Sequence, residues 1–213
     1  MALSLVLVAA PVIQAAQAQF VDQSQTTASL FSRSSKRAGQ TFTPTEKNVI
    51  GAGAFIYNSS RELFHAVLTV ELWTGIANTR GAHVLASGTQ AYTLTRGASS
   101  WVDAFWSSAV AVTPGTTYFL AFGSNKEASR FGYRTSGVSV SAYGAGDMYR
   151  GSSMRSNARY DQVREGDLAF REYSVKSDVA VVTPEPATGV LLATGLIGIF
   201  GIARRRRSWT HAG

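Results

Sequence analysis

The chain contains no cysteine, so no disulfide staples it, although an exported setting would permit one. It has three histidines, and only His65 and His83 lie outside the C-terminal tail. Neither stands in a His-Glu-x-x-His arrangement, and without cysteine a structural zinc is not expected. Both read as ordinary exposed or strand-face histidines. The Gly-x-Ser-x-Gly turn of serine hydrolases is absent. A Ser-His-Asp set drawn from distant positions stays open, because triads are defined by geometry. Between the two ends, no stretch sustains a 3.6-residue apolar period, which excludes a helical bundle. No residue is therefore assigned a catalytic role.

What the chain does have is concentrated first at its C-terminus. Pro184-Glu185-Pro186-Ala187 leads into an apolar run from Thr188 to Ala203, closed by Arg204-Arg205-Arg206-Arg207. Four guanidinium groups after such a run make a membrane stop. The positive-inside rule puts the arginines in the cytoplasm and the upstream chain across the membrane. The run is about 16 residues, at or below the roughly 17–25 that span a bilayer. It also carries Gly189, Gly195, Gly198 and Gly201, each costing about 1 kcal/mol of helix propensity relative to alanine. A short, weakened helix suits a transient handle better than a permanent anchor, the plainer reading of the same residues.

Tripeptide, apolar helix and arginine cluster, in that order, resemble the PEP-CTERM sorting signal of exopolysaccharide-producing Gram-negative bacteria. The resemblance covers Thr183 to about Arg207. It implies recognition by exosortase, a membrane-embedded transpeptidase-like processing enzyme. Transient inner-membrane anchoring, removal of the tail, and release or re-anchoring at the cell surface or in the extracellular matrix would follow. Ser208 to Gly213 extend beyond the arginines, where that family usually stops sooner.

The N-terminus reads as an export signal. Leu3 to Ala10 is apolar, and Ala16-Gln17-Ala18 has the small-x-small pattern of a signal-peptidase site, with cleavage expected before Gln19. Met1-Ala2-Leu3 lacks the usual basic first region. The expected organisation is a signal peptide over 1–18, a polar leader over 19–38 and a β domain over 39–175. A linker with the Pro-Glu-Pro motif follows over 176–186, then a transmembrane sorting helix with its arginine-rich tail over 187–213.

Setting aside Arg204–Arg207 and Glu185 from the 20 basic and 13 acidic residues leaves the exported part at a net charge of only about +4. The basic balance is thus largely a property of the tail, and no nucleic-acid partner is expected.

From Gly39 to Val175 the pattern is all-β: short runs rich in Val, Ile, Thr and aromatics, punctuated by Gly, Asn, Ser and Pro. Strands are expected near Gln40–Thr43, Val49–Tyr57, Ala66–Trp73, His83–Ala86, Gln90–Thr95, Trp101–Thr113, Thr117–Phe122, Val138–Tyr143, Asp147–Arg150 and Asp167–Tyr173. The segment Gln19 to Ala38 is a leader or a first edge strand. Leu68, Val70 and Leu72 share one face, opposite Thr69, Glu71 and Trp73; Tyr118, Leu120 and Phe122 share another. Thr113-Pro114-Gly115-Thr116 signals a type II turn. The fold expected is an antiparallel β-sandwich of jelly-roll type. The order of these strand and turn patterns resembles the β-sandwich modules of many surface-anchored bacterial proteins, which in shape resemble carbohydrate-binding and discoidin-like sandwiches. That likeness bears on fold more than on ligand.

Between Tyr143 and Tyr173, arginines interleave with tyrosines. Tyr149, Arg150, Arg155, Arg159 and Tyr160 are the candidate glycan contacts: guanidinium pairs with carboxylate, and tyrosine offers an amphipathic face. The plainer reading, which is preferred, is a solvated polar loop with its aromatics tucked into the sandwich edge. Asp147, Asp161, Glu165 and Asp167 read as loop charge paired with Arg150, Arg164 or Arg171; a structural calcium site or a glycosidase carboxylate pair are the other readings. No other cofactor or metal is called for. Tyr143-Gly144-Ala145-Gly146-Asp147 reads as a tight turn rather than a phosphate cradle. Trp73, Trp101 and Trp106 read as core or core-edge. Trp101 and Trp106 lie an odd count apart and so face opposite sides of a regular strand, which leaves room for one to be exposed.

Two functions remain. One is a non-enzymatic surface or matrix protein, associated with exopolysaccharide and adhesive or glycan-binding. The other is a secreted hydrolase acting on polysaccharide from a jelly-roll scaffold.

Overall fold

The computed structural model describes residues 18–28, 30–32, 37–125, 131–135, 143–153, 156–163 and 166–176. These are strand and loop throughout, without a helix, and they belong to one compact unit, Gln17–Ser177. The expected C-terminal helix, the signal segment before Ala18 and the expected strand Val138–Tyr143 (its last residue apart) lie outside the described residues.

Two antiparallel sheets form the sandwich. The first runs β1 (Gln19–Gln25), β12 (Phe170–Val175), β4 (Asn48–Asn58), β9 (Phe131–Thr135), β2 (Leu30–Ser32), with β7 (Ser99–Ala111) paired to β4. β4 has β7 along one edge, and β12 then β9 along the other. The second sheet runs β11 (Tyr160–Val163), β10 (Met148–Gly151), β3 (Ala38–Phe42), β8 (Tyr118–Ser124), β5 (Phe64–Trp73), β6 (Val84–Leu94).

Alternation sets the core. Leu68, Val70 and Leu72 of β5 are fully buried, while the residues between them are half-exposed, as the period-two pattern requires. They join Tyr118, Leu120 and Phe122 of β8 and Ala52, Ala54 and Ile56 of β4 in one cluster. Each buried leucine contributes about 1.5–3 kcal/mol of transfer free energy. Gly115, at φ 78°, lies in the expected turn, closed by the Thr116 amide donating to the Thr113 carbonyl at 3.1 Å.

β8 departs from simple alternation, because both its faces are covered. Phe119 and Ala121 point out of the sandwich into a second cluster with Tyr149, Tyr160 and Ala77. Phe119 lies over Gly39 of β3, where any Cβ would meet its ring. A polar frame closes this patch: Arg37 donates through Nε to the Tyr160 hydroxyl at 2.9 Å and through Nη2 to Glu71 at 2.6 Å. The Trp73 indole also donates to Glu71, at 3.1 Å.

Of the two readings of the segment 19–38, the edge strand holds: β1 and β2 lie within it, both at sheet edges. Other elements differ from the sequence reading. The expected strands His83–Ala86 and Gln90–Thr95 are one strand, β6. Gly88 is not a turn there. It sits where β6 passes close to β7, and a Cβ would stand 2.5 Å from the Phe105 carbonyl oxygen. β9 and β11 were not expected, both being short: β9 lies between β4 and β2, and β11 at the edge of the second sheet.

Candidate functional site

The outer face of the first sheet carries the most distinctive arrangement of side chains. Its floor is β4, whose outward positions Gly51 and Gly53 have no side chain. Gly51 is paired with Phe105 of β7 on one side and Tyr173 of β12 on the other. Gly53 is paired with Asp103 and Arg171, and Phe55 is paired with Trp101. Two bare positions in the middle strand make a trough, and side chains from the flanking strands reach across it. A Cβ on Gly51 would stand 2.5 Å from the Phe105 ring, and one on Gly53 would collide with Asp103 Oδ1.

Across Gly53, Arg171 Nη2 donates to Asp103 Oδ2 at 2.7 Å. The same guanidinium lies 4.1 Å from the centroid of the Trp101 ring and 5.8 Å from that of Tyr173. A cation over an indole at that distance contributes about 0.5–2 kcal/mol, depending on solvation. Phe55 packs against Trp101 with centroids 5.2 Å apart, and across Gly51 Phe105 packs against Tyr173 at 5.1 Å. Burial pushes the Tyr173 phenol up to about 12, with the Asp103 carboxylate adding to the shift, so it stays a neutral donor. Phe105 is 40% exposed, an unusual exposure for a phenylalanine in mid-strand.

Trp101, Asp103 and Phe105 also form one wall of a groove of about 330 Å³ where β7 approaches β6; Gln90, Tyr92 and Thr93 form the other. Aromatic faces, an amide, hydroxyls and a carboxylate whose charge Arg171 balances thus converge. Such a surface can stack on apolar ring faces and exchange hydrogen bonds with hydroxyls.

The residues singled out from sequence fall elsewhere. Tyr149 and Tyr160 are buried, their rings packed edge-on against Phe119 at 5.4 and 5.1 Å. Their faces are spent on packing, and Tyr160 holds Arg37. Arg150 and Arg159 are exposed, and Arg159 pairs with Asp161 at 3.3 Å on a solvated edge. Arg155 lies outside the described residues, as do Glu165 and Arg164. Of the loop carboxylates, Asp167 is buried, accepting from the Tyr143 amide at 2.9 Å and from Gln40 at 3.4 Å. Arg171 pairs with Asp103 rather than with any of these carboxylates. Trp106 faces the core and Trp101 the outer face, as their odd spacing requires. Sequence reasoning missed the trough itself. Its one local signal was the Gly-x-Gly spacing of Gly51 and Gly53 inside an otherwise apolar strand.

No curated protein matches the chain in sequence. Residues 182–207 match the family model of the PEP-CTERM protein-sorting motif. The chain carries a PEP-CTERM sorting signal. The match contains Pro184, Glu185 and Pro186 and runs through Arg204, Arg205, Arg206 and Arg207, all outside the described residues. That motif implies export, transient membrane anchoring and exosortase as the processing partner. Ala18, the last residue of the expected signal-peptide site, is exposed and immediately precedes β1; Ala16 lies outside the described residues.

Proposed function

We propose that the processed protein is a non-enzymatic component of the cell surface or extracellular matrix that binds polysaccharide through the outer face of its first sheet. The observation that carries this reading is the double use of one strand. Trp101, Asp103 and Phe105 of β7 both build the ring-and-guanidinium ladder across β4 and line the groove beside β6. Sugars present apolar ring faces and hydroxyls on opposite sides, which this combination of aromatic, carboxylate and amide groups matches. Sorting by exosortase delivers the domain to a compartment where such polymers are the abundant ligand.

Affinity electrophoresis of the secreted protein through gels containing the host's own extracellular polysaccharide tests the reading. The wild-type protein and an Arg159→Ala variant should be retarded, whereas Phe105→Ala and Trp101→Ala should migrate as if no polymer were present. Equal retardation of all four proteins, or of none, overturns it. Shortening of the polymer during incubation would instead make the protein a hydrolase.

A further inference from the structure

At the edge where β1 joins the first sheet, a buried carboxyl group, Glu172, lies beside a half-exposed one, Asp22. Glu172 of β12 points into the sandwich and is fully buried. Ser174 Oγ donates to its Oε1 at 2.9 Å, while Oε2 is buried without an N–H or O–H donor in bonding geometry. The group beside it is another acid, Asp22. β1 and β12 stay in register except between Val21 and Gln23, where Asp22 is the extra residue. This bulge re-aims the Asp22 side chain, which a regular strand would place opposite its neighbours. Its Oδ2 accepts from the Thr45 and Glu46 amides at 2.8 and 3.2 Å, and its Oδ1 from the Thr45 hydroxyl. Those bonds tie Asp22, and with it β1, to the segment that leads into β4.

We propose that the buried Glu172 carboxyl, set beside the Asp22 bulge, is a pH-sensitive latch fastening β1 to the sandwich. β1 is a suitable part to be latched. Its ladder is with β12 alone, and its other tethers are few: the Thr45 and Glu46 bonds to Asp22, the Tyr143 hydroxyl donating to Gln23 at 2.9 Å, and Gln25 donating to the Asp167 carbonyl at 3.5 Å. The ionisable groups facing Glu172 are Asp22 from β1 and Tyr143 from the segment before β10. Asp167 also acts on Tyr143, from the segment before β12. All three are acids, and none offers a positive charge to a deprotonated Glu172. The Gln23 amide and the Ser174 hydroxyl favour the carboxylate, but burial outweighs them and raises Glu172 to about 8. Above that pH two like charges face each other in a poorly solvated space, and the strand carrying one of them is the easier to displace.

Hydrogen exchange read by mass spectrometry tests the latch on the secreted protein at about pH 6 and about pH 9.5, with labelling times scaled for the intrinsic pH dependence of exchange. The peptide covering β1 should lose at least tenfold of its protection at the higher pH, while the peptide covering β8 keeps its own. Glu172→Gln, a neutral isostere, should abolish that difference. Asp22→Asn, which leaves Glu172 with no facing charge, should reduce it and serves if the first variant fails to fold. A β1 response equal in wild type and both variants, or absent from the wild type, overturns the latch. So does recovery of β1 protection at high pH on adding millimolar calcium, which would make the pair a cation site instead.

Discussion

Arg171 and Asp103 join hands over Gly53. They belong to strands that do not touch along the sheet, and their 2.7 Å contact exists because the strand between them is bare at that position. The ladder of rings and charges on this face therefore depends on two missing side chains as much as on those present.

Replacing Gly53 with valine should break this bridge. The new side chain would occupy the space of Asp103 Oδ1, so Asp103 or the strand must move. Overpacking of this kind costs about 1–3 kcal/mol, read as a lower urea midpoint with an unchanged slope. Polysaccharide retardation should fall in the same variant.

Arg171→Lys separates charge from shape. The lysine keeps a cation near Asp103 but loses the flat guanidinium that covers Trp101 at 4.1 Å. With the ion pair partly exposed and worth little alone, most of an expected loss of about 1 kcal/mol belongs to the stack. Tryptophan fluorescence should shift to the red as Trp101 becomes wetter, and an unshifted spectrum would contradict this.

On the outer face of the second sheet, Arg37→Met should cost about 3 kcal/mol or more. Arg37 is 6% exposed and pairs with both Glu71 and Tyr160, so its removal strands an anion and a hydroxyl in a covered site. The double variant Arg37→Met with Glu71→Gln should recover a large part of that loss, measured by chemical denaturation.

Global stability should fall as pH rises through the neutral range. Glu172 is raised from its ordinary 4.5 to about 8, so the folded chain holds a proton that the unfolded chain has lost between those values. Its contribution is complete below about pH 4.5, declines by up to about 1.4 kcal/mol per pH unit, and is gone above about pH 8. Glu172→Gln should flatten that slope in urea titrations at successive pH values.

At the C-terminus, mass spectrometry of the secreted protein should find a chain ending near Pro184–Ala187, without Arg204–Arg207. Substituting Pro184, Glu185 and Pro186 together by alanine should leave the full-length chain in the membrane fraction. Intact Arg204–Arg207 in the extracellular protein would contradict processing.

The sandwich was legible because alternation is a local signal. Leu68, Val70 and Leu72 announce their shared face within five residues, and the sorting signal is likewise a contiguous string. The trough was not legible, since Trp101, Asp103 and Phe105 meet Arg171 and Tyr173 only through the register of three strands. Tyr149 and Tyr160 look like surface aromatics in sequence; the ring they pack against, Phe119, lies on a strand well before them. The break expected between Ala86 and Gln90 is absent, because the close approach of β7 to Gly88 leaves no mark in the residues around it. The segment Gln19 to Ala38 stayed open between a leader and a first edge strand, as an edge strand needs few apolar residues of its own; β1 is that edge strand.

The pairing of β1 with β12 sets a timetable. The strand that leaves the export machinery first has its ladder with the strand that leaves near the end, just ahead of the sorting signal. Until residues 170–175 arrive, β1 and the open edge of β4 wait unmatched. Closure of the first sheet and arrival of the processing tag at the membrane are thus nearly simultaneous events, and an exosortase that acts there meets a domain that has only just become whole.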